Sequence, residues 1–146
     1  MGDATRPVLN PDTIADLRKA QAEYGNPGFI RQLIEIYRTN APGRIAGIRE
    51  AIAARDASSL ERIAHTLKSN CAMLGALDMA AICATLEANG ETGAFDEAAA
   101  TAARLGPEFE QVLRALEDLL GDSEPPAGAG TAAPEPDSAG REPSLA

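Results

Sequence analysis

The sequence predicts an all-α fold, a four-helix bundle with a short extra N-terminal helix and a disordered C-terminal tail. Apolar residues recur at helical spacing in successive stretches as far as Leu120, whereas no stretch alternates as a half-buried strand would. Hydrophobic residues make up 45% of the chain with much of that alanine, aromatics only 3%, and Trp is absent. That composition suits close-packed helices better than a β-sandwich. After Gly121 the character changes to Pro, Gly, Ala, Ser and acids.

Asn10-Pro11-Asp12 reads as an N-cap, a first-turn proline and an acid at the positive helix end, opening a helix to about Glu23 with Ile14 and Leu17 inward. Tyr24-Gly25-Asn26 closes it. Pro27 starts a second helix whose apolar positions, among them Leu33, Ile45, Ile48 and Ile52, keep helical spacing to Arg55. Pro42 removes a backbone donor inside that run, which predicts a kink or a division into two helices. Asp56 or Ser58 caps a third helix, ended by the permissive backbone of Gly75. Asp78 caps a fourth, with Met79, Ile82, Cys83 and Leu86 on one side, fading at Asn89-Gly90-Glu91-Thr92-Gly93. The last stretch starts near Asp96 and places Leu105, Phe109, Val112, Leu113, Leu116 and Leu120 on one face, with Gly106-Pro107 bending or interrupting it.

Residues 9–121 form the expected bundle domain and 122–146 the tail, too proline-rich and polar to bury a core. The 146 residues suit one domain plus an extension. Net charge is −9: 12 basic and 17 acidic residues up to Gly121 give −5, and 1 basic and 5 acidic after it give −4. Neither part carries the basic patch of a nucleic-acid binder. No apolar stretch approaches the ~18 residues of a membrane span, and the N-terminus lacks a signal pattern, so the expectation is a cytoplasmic protein. Cys71 and Cys83 fall on apolar stripes and read as core fillers in a reducing compartment. Two thiols and one histidine on another face do not make a zinc site, so no metal site is expected.

The only histidine, His65, lies in the third helix, where Leu60, Ile63, Leu67, Cys71 and Leu74 share a stripe and the imidazole projects roughly 170° away from it. The ring therefore faces water. Ser58, Ser69 and Ala72 on the same outward face are short enough to let another protein reach its nitrogens, and Lys68 adds a cation nearby. Glu61 and Arg62 border this face. A neutral imidazole can attack the phosphorus of an acyl phosphate and form a phosphoramidate reactive enough to pass the group on. The chain has no glycine-rich phosphate loop and no kinase ATP site, so no autonomous kinase activity is expected.

The run His65-x-Leu67-Lys68-Ser69, with Gly75 ten residues after the histidine, resembles the signature of histidine-containing phosphotransfer (HPt) domains, and the pattern of helices over roughly residues 9 to 120 fits as well. The family usually has Gly directly after the lysine, where this chain has Ser69. The resemblance implies a four-helix bundle that relays a phosphoryl group in two-component signalling. His65 would take it, on the nitrogen remote from the backbone, from the aspartyl phosphate of one response-regulator receiver domain and pass it to another. Lys68 would soften the charge, while Glu61, Arg62, Ser69 and Ala72 would meet the partner. It further implies a hybrid histidine kinase upstream, no intrinsic cofactor, and Mg²⁺ supplied by the receiver. A monomer is expected, since four to five helices can close a core alone. The competing reading is a non-catalytic helical adaptor. A general-base enzyme is the poorer alternative, because the motif holds no carboxylate to orient the imidazole.

Overall fold

Asn10 caps the first helix, α1 (Pro11–Tyr24), its Oδ1 accepting from the Thr13 backbone N–H at 3.0 Å, and Gly25 closes it in the left-handed conformation. The computed structural model describes residues 7–123. They contain five further helices, α2 (Phe29–Ala54), α3 (Ala57–Met73), α4 (Leu77–Thr92), α5 (Phe95–Ala102) and α6 (Leu105–Ser123), and no strand among the described residues. No helix among them is long and apolar enough to cross a membrane. The tail expected over 122–146 lies outside the described residues apart from the last turn of α6, which reaches Ser123. One compact unit ends at Ala115, inside α6.

At three places the structure corrects the sequence expectation or chooses between its alternatives. Helix α2 runs through Pro42 as one helix of 26 residues and is not divided. The proline is exposed, while Ala41 and Ile45 on either side stay buried, so packing holds both halves in one rod. Asp78 does not cap α4: Ala76 holds that position and Asp78 sits in the first turn. The turn from α3 is so tight that α4 has begun by Leu77, with Ala76 N–H donating to the Cys71 carbonyl at 2.9 Å. The final stretch is two helices, parted at Ala103 and Arg104, and Gly106-Pro107 falls in the first turn of α6, where a missing N–H costs nothing.

Gly75, φ +81°, makes the α3–α4 turn. Its carbonyl accepts from the Asn10 N–H at 2.8 Å, and a Cβ there would lie 3.0 Å from Thr13 Cβ. The helix stop of α3 is thus also the seat of the α1 cap.

Ile34, Ile48, Leu60, Leu67, Met79 and Leu86 are fully buried, drawn from α2, α3 and α4. Tyr37 crosses this core: its hydroxyl donates to Met79 Sδ at 3.2 Å and lies 3.5 Å from Cys71 Sγ, and its ring packs on Phe109 at 5.6 Å between centroids. Burial pushes the Tyr37 hydroxyl far above its ordinary pKa, so it stays a neutral donor. Cys71 and Cys83 are free and wholly buried, as expected of core fillers.

The most extensive helix pair is α3 with α4. Gly90 of α4 is buried, and a Cβ added there would stand 2.7 Å from the Glu61 backbone nitrogen of α3 and 2.9 Å from its Cα. The run Asn89-Gly90-Glu91-Thr92-Gly93 does close α4, which ends at Thr92 with Gly93 in the left-handed conformation; Asn89 and Gly90 are still inside the helix and buried, because only a residue without a side chain lets the two backbones touch. Alanine is the better helix former by about 1 kcal/mol. Gly90→Ala is nonetheless expected to lower stability by about 1–3 kcal/mol, the cost of overpacking against backbone that cannot rotate away. Urea unfolding measures the sign; a stabilised variant would mean that the helices are not in contact there.

Candidate functional site

The apolar stripe of α3 fixes where the remaining side chains go. Leu60, Ala64, Leu67 and Cys71 are buried against the bundle, and His65 stands on the opposite side with 60% of its side chain exposed. Asp56 holds the start of the helix, accepting from the Ser59 backbone N–H at 3.1 Å and its hydroxyl at 2.8 Å, which keeps the Asp56 carboxyl below the usual carboxylate range.

Glu87 of α4 approaches this face from the side. Its Oε2 lies 2.9 Å from His65 Nδ1, and its Oε1 accepts from Lys68 Nζ at 2.6 Å. One carboxylate therefore bridges the histidine and the lysine. The Glu87 side chain is only 18% exposed and Lys68 34%, so the bridge is sheltered while the imidazole is open. The hydrogen bond from Lys68 lowers the Glu87 pKa most, with the hydrogen bond to His65 and the charges of both partners adding to it against partial burial. An ionised carboxylate can only accept. Nδ1 must therefore carry the proton, which leaves the lone pair of the neutral ring on Nε2.

Glu87 was not among the residues that sequence reading singled out, and the orienting carboxylate missing from the motif is supplied from another helix. A signal existed. His65 stands ten residues before Gly75 and Glu87 twelve after, so a tight turn closing two antiparallel helices brings them level. The sequence does not show that the facing residue is near enough for a hydrogen bond, since that depends on the contact at Gly90, one turn further along α4.

The other expected site residues are placed as follows. Lys68 is beside the ring but engaged with Glu87. Ser69 is exposed one turn beyond His65, and its hydroxyl donates to the His65 carbonyl at 3.2 Å, so it folds back on the helix and adds little bulk. Ala72 is exposed on the same face. Arg62, on the preceding turn, leans to the Ser59 hydroxyl at 3.3 Å, and Glu61 is half-buried because its backbone meets Gly90.

A groove of about 200 Å³ opens between α2 and α3, lined by Leu33, Ile36, Tyr37, Arg44, Asn70 and Met73 among others. Ile36 and Met73 are exposed at its edge, 58% and 50%. Met73 continues the row His65, Ser69 and lies two turns, about 12 Å, from the histidine. The charged edge toward α4 thus lies beside the imidazole, and the apolar edge toward α2 two turns along the same helix.

The family model described as Hpt domain matches residues 32–123 of the chain. Among solved structures, the crystal structure of histidine-containing phosphotransfer protein B (HptB) from Pseudomonas aeruginosa PAO1 is similar, with a TM-score of 0.71 and 22% identity over 81% of this chain and 98% of that one. No curated protein matches.

Because its folded-state pKa is depressed, Glu87 contributes stability that is present above the ordinary carboxylate range and lost as pH falls through its folded value. A partly exposed pair is worth no more than about 1 kcal/mol. Glu87→Gln should therefore melt slightly below wild type at pH 7, and the gap should begin to close only below pH 4.5, the ordinary carboxylate value, and vanish once pH is below the depressed folded value. A gap that persists, read by calorimetry, down to the acid limit of folding would show that the carboxylate charge plays no part.

Proposed function

The chain belongs to the Hpt domain family, and from that premise we propose that it is a phosphorelay intermediate in which His65 accepts a phosphoryl group from the aspartyl phosphate of a receiver domain and passes it to another. The observation that carries this reading is the hydrogen bond of 2.9 Å between Glu87 Oε2 and His65 Nδ1 on an otherwise exposed ring. It presents Nε2 as the nucleophile before any partner arrives.

In the accepting step the Nε2 lone pair attacks phosphorus, the bond from phosphorus to the aspartyl oxygen breaks, and its electron pair stays on the carboxylate. No proton leaves Nε2, because Nδ1 holds the only ring proton. Passing the group on reverses the sequence: the bond from Nε2 to phosphorus breaks and its pair returns to the ring. Phosphoryl transfer asks mainly for alignment and charge compensation. Lys68 supplies a cation beside the ring, and Mg²⁺ is expected from the receiver, where it would neutralise the transferring oxygens.

The partner surface is expected to cover the exposed row of α3. Ser69 and Ala72 give clearance, and Glu61 and Arg62 border the contact. The apolar groove at Ile36 and Met73 offers a place for an apolar side chain of the receiver, since an apolar patch beside a reactive group marks an interaction surface.

His65→Gln should abolish phosphate acceptance from a phosphorylated receiver while leaving helical circular dichroism and melting nearly unchanged, because the exposed ring packs on little. Acid-labile, base-stable phosphate found on wild type by mass spectrometry and lost in the variant supports the relay. Binding of the receiver without any such phosphate would leave a helical adaptor.

Ser69 tests the docking surface. Ser69→Leu should slow transfer at least tenfold by holding the receiver off the ring, a loss of about 1.4 kcal/mol or more in transition-state contact. Ser69→Gly should match or exceed the wild-type rate despite the helix cost. Normal transfer by the leucine variant would place the docking surface elsewhere on the bundle.

A further inference from the structure

We propose that Glu87 keeps the phosphorylated form of His65 labile: its carboxylate, fixed by Lys68 at 2.6 Å and standing 2.9 Å from Nδ1, retains the Nδ1 proton after Nε2 has taken the phosphoryl group, so the chain is a donor and not a store. This rests on the phosphorelay reading and adds to it the fate of the phosphorylated state.

The reasoning starts from the leaving group. When a neutral imidazole protonated on Nδ1 takes a phosphoryl group on Nε2, the ring becomes an imidazolium carrying phosphorus. If it keeps the Nδ1 proton, cleavage of the bond to phosphorus returns the electron pair to Nε2 and releases a neutral imidazole. If it loses that proton, the same cleavage must release an imidazolate, a far poorer leaving group. Whatever holds the Nδ1 proton therefore sets the reactivity of the phosphorylated ring. An anionic acceptor favours the charged, protonated ring; a neutral acceptor of the same shape does so much less.

Glu87 fits that role better than a solvent-exposed acid would. Its side chain is 18% exposed, and Lys68 holds the other oxygen, so the carboxylate is kept ionised and aimed. The other charged groups on the turns next to the ring are Glu61 and Arg62 on the preceding turn of α3, Arg62 turned to Ser59, and Glu91, exposed one turn beyond Glu87 on α4; Arg44 of α2 lines the groove with Asn70 and Met73, further along α3. Among the hydrogen bonds and ion pairs described, the acid that meets His65 Nδ1 is Glu87.

Glu87→Gln separates charge from position, because the amide oxygen can still accept from Nδ1 but carries no charge. The test uses the full chain phosphorylated chemically with phosphoramidate, so no partner is needed, and follows loss of phosphate from His65 between pH 5 and 10. Wild type should decay fast up to a midpoint set by the Nδ1 proton, and the midpoint of Glu87→Gln should fall lower by about one pH unit, tenfold in the protonation equilibrium. On the alkaline side the variant should hold its phosphate up to about ten times longer. Nitrogen-15 NMR of the phosphorylated wild type reads the same proton directly and does not depend on the variant folding; its midpoint should lie above that of phosphorylated N-acetylhistidine amide. Overlaid decay profiles, or a wild-type midpoint at or below that of the small molecule, overturn the proposal and leave the relay standing. Failure to form any phosphohistidine at His65 overturns both.

Discussion

The contact of two backbones at Gly90 and Glu61 is the constraint from which the site follows. A helix pair whose side chains interdigitate keeps its axes roughly 8–10 Å apart. Where one partner is a glycine the backbones can close further, and here a single Cβ would meet the facing backbone nitrogen at 2.7 Å. Glu87 precedes that glycine by three residues and His65 follows Glu61 by four, so this backbone contact lies one turn from the imidazole. A carboxylate reaches an imidazole on a neighbouring helix at 2.9 Å because the helices are held together next door.

The same pair of helices is anchored at its other end by the Gly75 turn, whose carbonyl also takes the Asn10 N–H. Between the two anchors lie Cys71, Cys83 and Met79, small or pliable groups gathered around the Tyr37 hydroxyl. A hydrogen bond to sulfur is weak, but it satisfies a hydroxyl that would otherwise be buried at a cost. The division of labour is clear: α2 and α4 supply the walls, and α3 supplies a rail with one face in the core and the other facing outward. The chain as a whole is acidic at −9, yet the His65 face has Lys68 and Arg62 on it, with Arg44 across the groove. These cations share the face with the Glu87 carboxylate, which takes the Lys68 ammonium at 2.6 Å.

Much of this was legible in the chain. The helical periodicities place α1 to α4 within a few residues, Asn10 caps α1 as expected, Asp56 and not its alternative Ser58 caps α3, and the stripe from Leu60 to Leu74 turns His65 outward. At two places packing decides what a local rule leaves open. Pro42 costs a backbone hydrogen bond, but buried Ala41 and Ile45 keep α2 whole. Asn89 and Gly90 look like helix breakers in isolation and are instead buried inside α4, where the absence of a side chain is the reason for the glycine.

The sequence by itself determined the fold class, the outward direction of His65 and the short residues around it, because each depends on periodicity along one helix, and periodicity is a property of neighbours in the chain. It resembled the right family through a motif of the same kind, local and contained in α3. What only the tertiary structure decided is which ring nitrogen carries the proton. That choice depends on Glu87, 22 residues away on another helix, and on the Lys68 ammonium that holds its second oxygen. A distance between two helices is fixed by the side chains absent from their contact as much as by those present, and no pattern within either helix records it.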